Sequence, residues 1–225
     1  MHTETVARVI AGQARGRRLA VPAGRDTRPT SDRAREGLFA TVSAIMGSLA
    51  GARVLDLYAG SGAVGIEALS RGAAHVLLVE SDARAARVIR QNIAAAGLPG
   101  AAVIADRVER VLARGPGQAA GDPGGYDVVF ADPPYALPDV EVCRVLALAA
   151  GEGGSPGSPR AGAAARGWLA PGALVIVERA TRSGPVRWPD GLMPDRARRY
   201  GEATFWYGRA PGDPGYRRGD RPGPA

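Results

Sequence analysis

From residue 53 onward, short uninterrupted apolar runs alternate with segments whose apolar residues recur every three or four positions. The runs are RVLDLY (53–58), HVLLVE (75–80), AAVIAD (101–106) and YDVVFA (126–131), with the length and β-branched content of strands buried on both faces. Between them, AVGIEALSRG (63–72) and DARAARVIRQNIAAAG (82–97) carry helical periodicity and stop at Gly72 and Gly97, and RVERVLA after Asp106 predicts another short helix. Such strand–helix–strand repeats build an α/β fold: a parallel sheet with helices on both faces and ligands beyond the carboxyl ends of its strands. Asp56, Glu80, Asp106 and Asp132 all fall at those ends. ALVIVE (173–178) predicts a further core strand, and RARRYGEATFWYGR (196–209) a closing hairpin.

Ahead of this repeat, RVIAGQARGRRLAV (8–21) predicts a β-hairpin bearing Arg8, Arg15, Arg17 and Arg18. SDRAREGLFATVSAIMGSL (31–49) spaces Leu38, Val42, Ile45 and Leu49 as one helix face, with Ser31 or Asp32 as N-cap. Gly, Pro, Ala and Ser dominate 113–125 and 151–167, which are expected as flexible loops, and Gly, Pro and Arg dominate the tail after Ala210. The expected organisation is a basic hairpin extension (1–30), one catalytic domain (31–209) and a disordered tail (210–225).

Charge narrows the class of partner. The formal net charge is +7, and all 29 basic residues are arginine. A GC-rich genome accounts for the missing lysine as well as selection does, but not for the net excess, and arginine's planar fork suits phosphates and base edges. The lone Cys143 permits no internal disulfide, and no signal sequence or apolar run of spanning length is evident, so a soluble monomer in a reducing cytoplasm is expected. His2 and His75 lie far apart without cysteine neighbours, so no metal is expected.

Two stretches carry chemistry. In DLYAGSGAVG (56–65), Gly60, Gly62 and Gly65 satisfy G-x-G-x-x-G, with Glu80 twenty residues beyond Gly60. That pattern serves nicotinamide dinucleotides, whose pyrophosphate meets the amides of the following helix. Asp56, just before the turn, opposes a second anion and instead suits a phosphate-free, cationic cofactor such as S-adenosylmethionine (SAM); the glycines alone leave both open. The second stretch is DPPY (132–135). Its two prolines stiffen the backbone and remove two donors, leaving the Asp132 side chain and the Pro133 carbonyl as fixed acceptors for an exocyclic amino group, with Tyr135 as a face on which an extruded base can stack.

RVIAGQARGRRL, TRPTSDRAREGLF, VLDLYAGSGAVGIEALSRGA, the acidic end of HVLLVESD, and FADPPY together resemble, in order, the 16S ribosomal RNA guanine-N2 methyltransferases of the RsmD type. RPTSDR is the discriminating piece, since glycine turns and DPPY recur among amino-methyltransferases. Gly37, where that family prefers Thr or Ser, departs from the pattern at an expected helix cost of about 1 kcal/mol. The resemblance implies a Rossmann-like SAM-dependent methyltransferase fold, with a mostly parallel seven-stranded sheet and an N-terminal hairpin that engages RNA. It implies SAM held by Asp56 and the backbone of Tyr58, Ala59, Gly60, Ser61 and Gly62, its ribose by Glu80 and its adenine by Asp106, with Arg28 and Thr30 lining the pocket. Asp106 can equally serve as a helix N-cap. Asp132, Pro133, Pro134 and Tyr135 would form the catalytic turn, and 16S ribosomal RNA or the assembling small subunit would be the partner. Competing readings are an adenine-N6 or cytosine-N4 DNA methyltransferase, a nicotinamide oxidoreductase, and a non-catalytic ribosome-assembly RNA binder.

Overall fold

The computed structural model describes residues 7–22, 31–116, 125–152 and 167–212. Arg28, Thr30, most of the two Gly/Pro-rich loops and the tail from 213 lie outside the described residues. The strands β3 (Arg53–Leu57), β4 (His75–Val79), β5 (Ala101–Ile104), β6 (Tyr126–Ala131), β7 (Leu169–Ala180), β8 (Met193–Tyr200) and β9 (Ala203–Arg209) form one seven-stranded sheet in the order β5-β4-β3-β6-β7-β9-β8. The first five are parallel; β9 runs antiparallel to β7, and β8 antiparallel to β9. From β3 the chain builds outward through β4 and β5, then returns to lay β6 against the other side of β3. The order therefore reverses between β3 and β6, and a ligand crevice is expected beyond their carboxyl ends.

Each parallel strand is apolar on both faces because each face is covered. On one face, α1 (Asp32–Met46), α2 (Ala63–Ser70) and α3 (Ala83–Ala96) pack on Val54, Val76, Leu78, Val128, Phe130 and Ile176. On the other, α4 (Val108–Arg114) and α5 (Asp139–Ala150) pack on Leu55, Leu57, Leu77, Val129 and Val175. Ser31 is the N-cap of α1, its hydroxyl accepting from Ala34 N–H at 3.2 Å. The helix stops at Met46, and Leu49 reaches the core from the turn that follows.

Four features differ from what the sequence predicts. α5 has no counterpart among the predicted elements; β7 begins at Leu169 rather than Ala173, and β8 at Met193 rather than Arg196. Gly37 is a packing position as well as a propensity cost: a Cβ there would stand 2.2 Å from the Tyr200 ring of β8, so the glycine makes room for that tyrosine.

The N-terminal hairpin has only two short paired segments, β1 (Ala7–Arg8) and β2 (Arg18–Leu19). Ala7, Val9, Ala14 and Leu19 share a small apolar cluster with Ile66 and Ala96, but buried polar groups supply most of the directional contacts. Glu67 on α2, fully buried, accepts from Ile10 N–H at 2.7 Å and Ala11 N–H at 3.0 Å and is paired with Arg71 at 2.8 Å. Ser70 accepts from Ala14 N–H and donates to the Ala11 carbonyl. Asn92 on α3 makes a reciprocal pair with the backbone of Ala20, at 2.8 and 2.9 Å, and also donates to the Ser61 carbonyl in the glycine turn at 2.9 Å.

Candidate active site

A cavity of about 550 Å³ opens at the carboxyl edge of the sheet, over the point where the strand order reverses. Asp56, Tyr58, Ala59, Gly60 and Ser61 form one wall and Asp132, Pro133, Pro134 and Tyr135 another, with Phe130 between them. Val21 and Pro22 behind the hairpin, Arg35 of α1, and Arg107, Val108 and Glu109 at the start of α4 close the rest. The two sequence motifs, 67 residues apart at their nearest positions (132 − 65), thus face a single space.

The glycine turn is folded by backbone that only small residues adopt easily. Gly60 and Gly62 have φ of 58° and 78°, and Tyr58 takes φ 63° despite its side chain, the one non-glycine residue with positive φ among the described residues. Gly65 lets α2 lie close on the sheet, since a Cβ there would stand 2.8 Å from Leu78. The turn's amides are donated within the chain: Ala59 to Val79 O (3.0 Å), Gly62 to Ala59 O (2.7 Å), Gly60 to Glu80 Oε2 (2.9 Å) and Gly65 to Asp56 Oδ2 (2.9 Å). Two carboxylates thus occupy amides of the glycine pattern, one of them, Asp56, on the cavity wall, which disfavours a pyrophosphate beside the turn. Burial pushes the Asp56 carboxyl up to about 7; the Gly65 hydrogen bond works against the rise and the charge of Glu80 adds to it. A cation entering beside Asp56 would restore the charge that burial disfavours.

Glu80 is buried, and its second oxygen accepts from Asp82 N–H at 2.8 Å, so in this structure it braces the turn and stands behind the cavity wall. Asp106 is also set back from that wall. It accepts from Arg107 N–H at 2.8 Å and pairs with Arg110 at 3.2 Å and Arg114 at 3.0 Å. The Arg107 amide bond holds its carboxyl below its ordinary value; desolvation opposes it, and Arg110 and Arg114 add to the lowering. The N-cap of α4 is Arg107 rather than Asp106. Glu109 lies on the cavity wall nearby, accepting from the Tyr58 hydroxyl at 3.5 Å. Among the described residues no cluster of metal-ligating side chains occurs, and no helix is long and apolar enough to cross a membrane.

The DPPY turn is held from behind by a residue that the sequence reading missed. Arg179, on β7 and buried, donates to the Leu137 carbonyl at 3.0 Å, to Asp139 Oδ1 at 2.9 Å and, at 3.4 Å, to the Pro134 carbonyl. The turn has few donors of its own, because three of the seven residues in 132–138 are proline. Arg35 was missed as well. Buried on α1 at the cavity wall, it donates to the Arg8 carbonyl and to Asp32 Oδ1 and stands 3.9 Å from Glu67, tying hairpin, α1 and α2 together. Neither has a local signal, since both sit in arginine-rich stretches and their distant partners appear only on folding. Arg15, Arg17 and Arg18 are exposed on the hairpin, and Arg8 is exposed and paired with Asp32 at 3.0 Å.

Comparison with known proteins places this geometry. Residues 7–151 match the family described as Conserved hypothetical protein 95. The Escherichia coli protein named Ribosomal RNA small subunit methyltransferase D is 35% identical over 185 residues, 80% of this chain and 80% of its own length. Its Haemophilus influenzae namesake is 33% identical over 171 residues, 76% of this chain and 77% of its own. Among solved structures, yhhF of Escherichia coli, a provisionally assigned methyltransferase, superposes with a TM-score of 0.71 at 32% identity, covering 92% of this chain and 99% of that one. The chain belongs to the Conserved hypothetical protein 95 family, together with the ribosomal RNA small subunit methyltransferases D.

Proposed function

We propose that this protein transfers the methyl group of SAM to the exocyclic N2 amine of a guanine in 16S ribosomal RNA. The observation that carries this is the shared cavity: a buried carboxylate and a glycine turn with the Gly60 and Gly65 amides already held by Glu80 and Asp56 face the same space as the acceptor turn Asp132–Pro133. The donor set fits SAM. Asp56 would meet its ammonium, the backbone of Tyr58–Gly62 its methionine end, and the α4 side of the cavity its adenine. When bound, SAM supplies a methyl on a sulfonium, which leaves as a neutral thioether once the amine nitrogen has taken the methyl. Asp132 and the Pro133 carbonyl would accept hydrogen bonds from the two amine hydrogens, which draws the nitrogen lone pair out of conjugation and aims it across the cavity, and the proton that the methylated nitrogen sheds would pass to the Asp132 carboxylate and on to solvent. Tyr135, half exposed at the mouth, offers the stacking face. Arg8, Arg15, Arg17 and Arg18 would hold RNA phosphates on a hairpin fixed to the body by Glu67, Ser70 and Asn92.

The reading against a nicotinamide oxidoreductase rests on the two carboxylates at the glycine turn; the reading for RNA rests on family membership and the basic hairpin. The direct test is mass spectrometry of nucleosides from ribosomal RNA of a strain lacking the gene. Loss of one N2-methylguanosine, restored by the wild-type gene and not by Asp132→Ala, is expected; an unchanged N2-methylguanosine content would overturn the proposal.

A further inference from the structure

The acceptor pair Asp132–Pro133 recognises an amino group and cannot by itself tell guanine from adenine or cytosine. What distinguishes the three bases is the ring atom beside the amine. Guanine presents N1–H, a donor; adenine N1 and cytosine N3 are bare lone pairs.

β6 and β7 run parallel and in register as far as Ala131 opposite Val177, so the next positions outward are Asp132 and Glu178. Side chains alternate along a strand. Phe130 and Ile176 lie together on the α1 and α2 face, and Ala131 and Val177 on the other. Asp132 and Glu178 thus return to the first face, where Phe130 and Asp132 line the cavity. On its far side Glu178 is opposite Phe205 of β9, which is wholly buried, and Glu178 itself is only 3% exposed. Tyr135 stands near both acids: burial, then the charge of Glu178, then that of Asp132, pushes its hydroxyl up. A second, buried carboxylate thus follows Val177 as Asp132 follows Ala131, next to the amine acceptor and just behind the residues that line the cavity.

We propose that Glu178 is the specificity-determining residue of this site, its carboxylate accepting the N1–H of guanine while Asp132 and Pro133 hold the neighbouring N2 amine. The assignment rests on the methyl-transfer reading above and deepens it. An ionised carboxylate has lone pairs and no donor, so it pairs with guanine N1–H and repels the N1 of adenine or the N3 of cytosine. Sites built around a buried polar partner reject substrates that lack its complement far more strongly than apolar pockets do.

The test uses 2-aminopurine, which keeps the 2-amino group but carries a bare N1. Once the target guanine has been mapped with the wild-type enzyme, RNA with guanine or 2-aminopurine at that position is methylated under single-turnover conditions by wild type and by Glu178→Gln. The wild type is expected to prefer guanine by about a hundredfold or more. Glu178→Gln, whose amide donates as well as accepts, should lose about tenfold or more on guanine and bring the preference down to a few fold, while SAM affinity by calorimetry stays within twofold. Comparing the ratio across the two enzymes cancels the intrinsic reactivity of the two amines. A preference unchanged by Glu178→Gln, or a wild type that treats both bases alike, overturns the role of Glu178 and leaves the methyltransferase reading standing. A wild type that methylates adenine or cytosine overturns the guanine reading and this role together.

Discussion

The two turns that face the cavity follow neighbouring strands and solve opposite problems. After β3, residues 58–62 form a turn of glycines and positive φ in which Ala59 and Gly62 donate to backbone carbonyls and Gly60 to Glu80, with Gly65 just beyond donating to Asp56. After β6, residues 132–138 form a turn of prolines with few amides to offer, held from outside by the Arg179 guanidinium. The first engages amides with carboxylates, which on the proposed reading suits a cofactor's positive charge. The second is poor in donors and presents acceptors, which on that reading suits an amine. The difference shows why G-x-G-x-x-G spacing is ambiguous on its own: what matters is what already occupies the amides, and here two of them are held by Asp56 and Glu80.

If the turns divide the work in this way, one set of substitutions should harm chemistry and the other binding. The largest effect is expected at the proline turn: Asp132→Ala should slow single-turnover methyl transfer by about a hundredfold or more while SAM affinity moves by no more than a few fold. Equal losses in both would break the comparison. Next comes Glu80→Ala, which leaves the Gly60 and Asp82 amides without their carboxylate acceptor and, by loosening the turn, should weaken SAM binding by about 1.5 to 3 kcal/mol, with the rate at saturating SAM largely kept. Unchanged affinity by calorimetry would show that the turn holds its shape without Glu80. Arg179→Met should loosen the proline turn and cost about tenfold in transfer rate with SAM affinity intact, since small misplacements of reacting groups are expensive. Arg179→Lys should recover part of the rate, and amide exchange across 135–142 should speed up in the Met variant. Exchange and rate that both match the wild type would assign the turn's rigidity to its prolines alone.

The smallest effect concerns Asp56. With its carboxyl near 7 and the cofactor's ammonium favouring the ionised form, SAM affinity should fall about threefold between pH 7.5 and 6.5 as a proton must leave on binding. Asp56→Asn should flatten that dependence. The cofactor-free protein should show the opposite trend in stability. Its folded carboxyl is raised from 3.8 to about 7, so this contribution is fully present below 3.8, is lost as pH rises through 7, and is level above.

The parallel half of the fold was legible because its signals are local: a strand buried on both faces is a continuous apolar run, and Gly72 and Gly97 mark the ends of helical segments. The antiparallel half was less so. β7 starts early because Leu169 pairs with Tyr126 before a register shift, an event fixed by the partner strand. The helix DVEVCRVLALAA was missed because Val140 and Val142 alternate with acids like a strand, and no side-chain cap marks its start. In the site, the motifs identified Asp56 and Asp132, but spacing could not show that Asp106 turns back to Arg110 and Arg114, or that Arg179 reaches the DPPY turn. Those partners are chosen by topology, and in a chain whose basic residues are all arginine no single arginine stands out.

The staples that hold the hairpin also impose an order on synthesis. Ile10 and Ala11 bond to Glu67, 57 and 56 residues later, and Ala20 bonds to Asn92, 72 residues later. The hairpin segment therefore leaves the ribosome before the residues that secure it. At translation speeds of about 5 to 20 residues per second, Ala20 waits roughly 4 to 14 s for its partner to be made. The partners of Ile10, Ala11 and Ala14 on α2 are made earlier in that interval, and the same asparagine that ends the wait also bonds the glycine turn at Ser61. The docking of α3 thus fastens the hairpin and backs the glycine turn through one side chain.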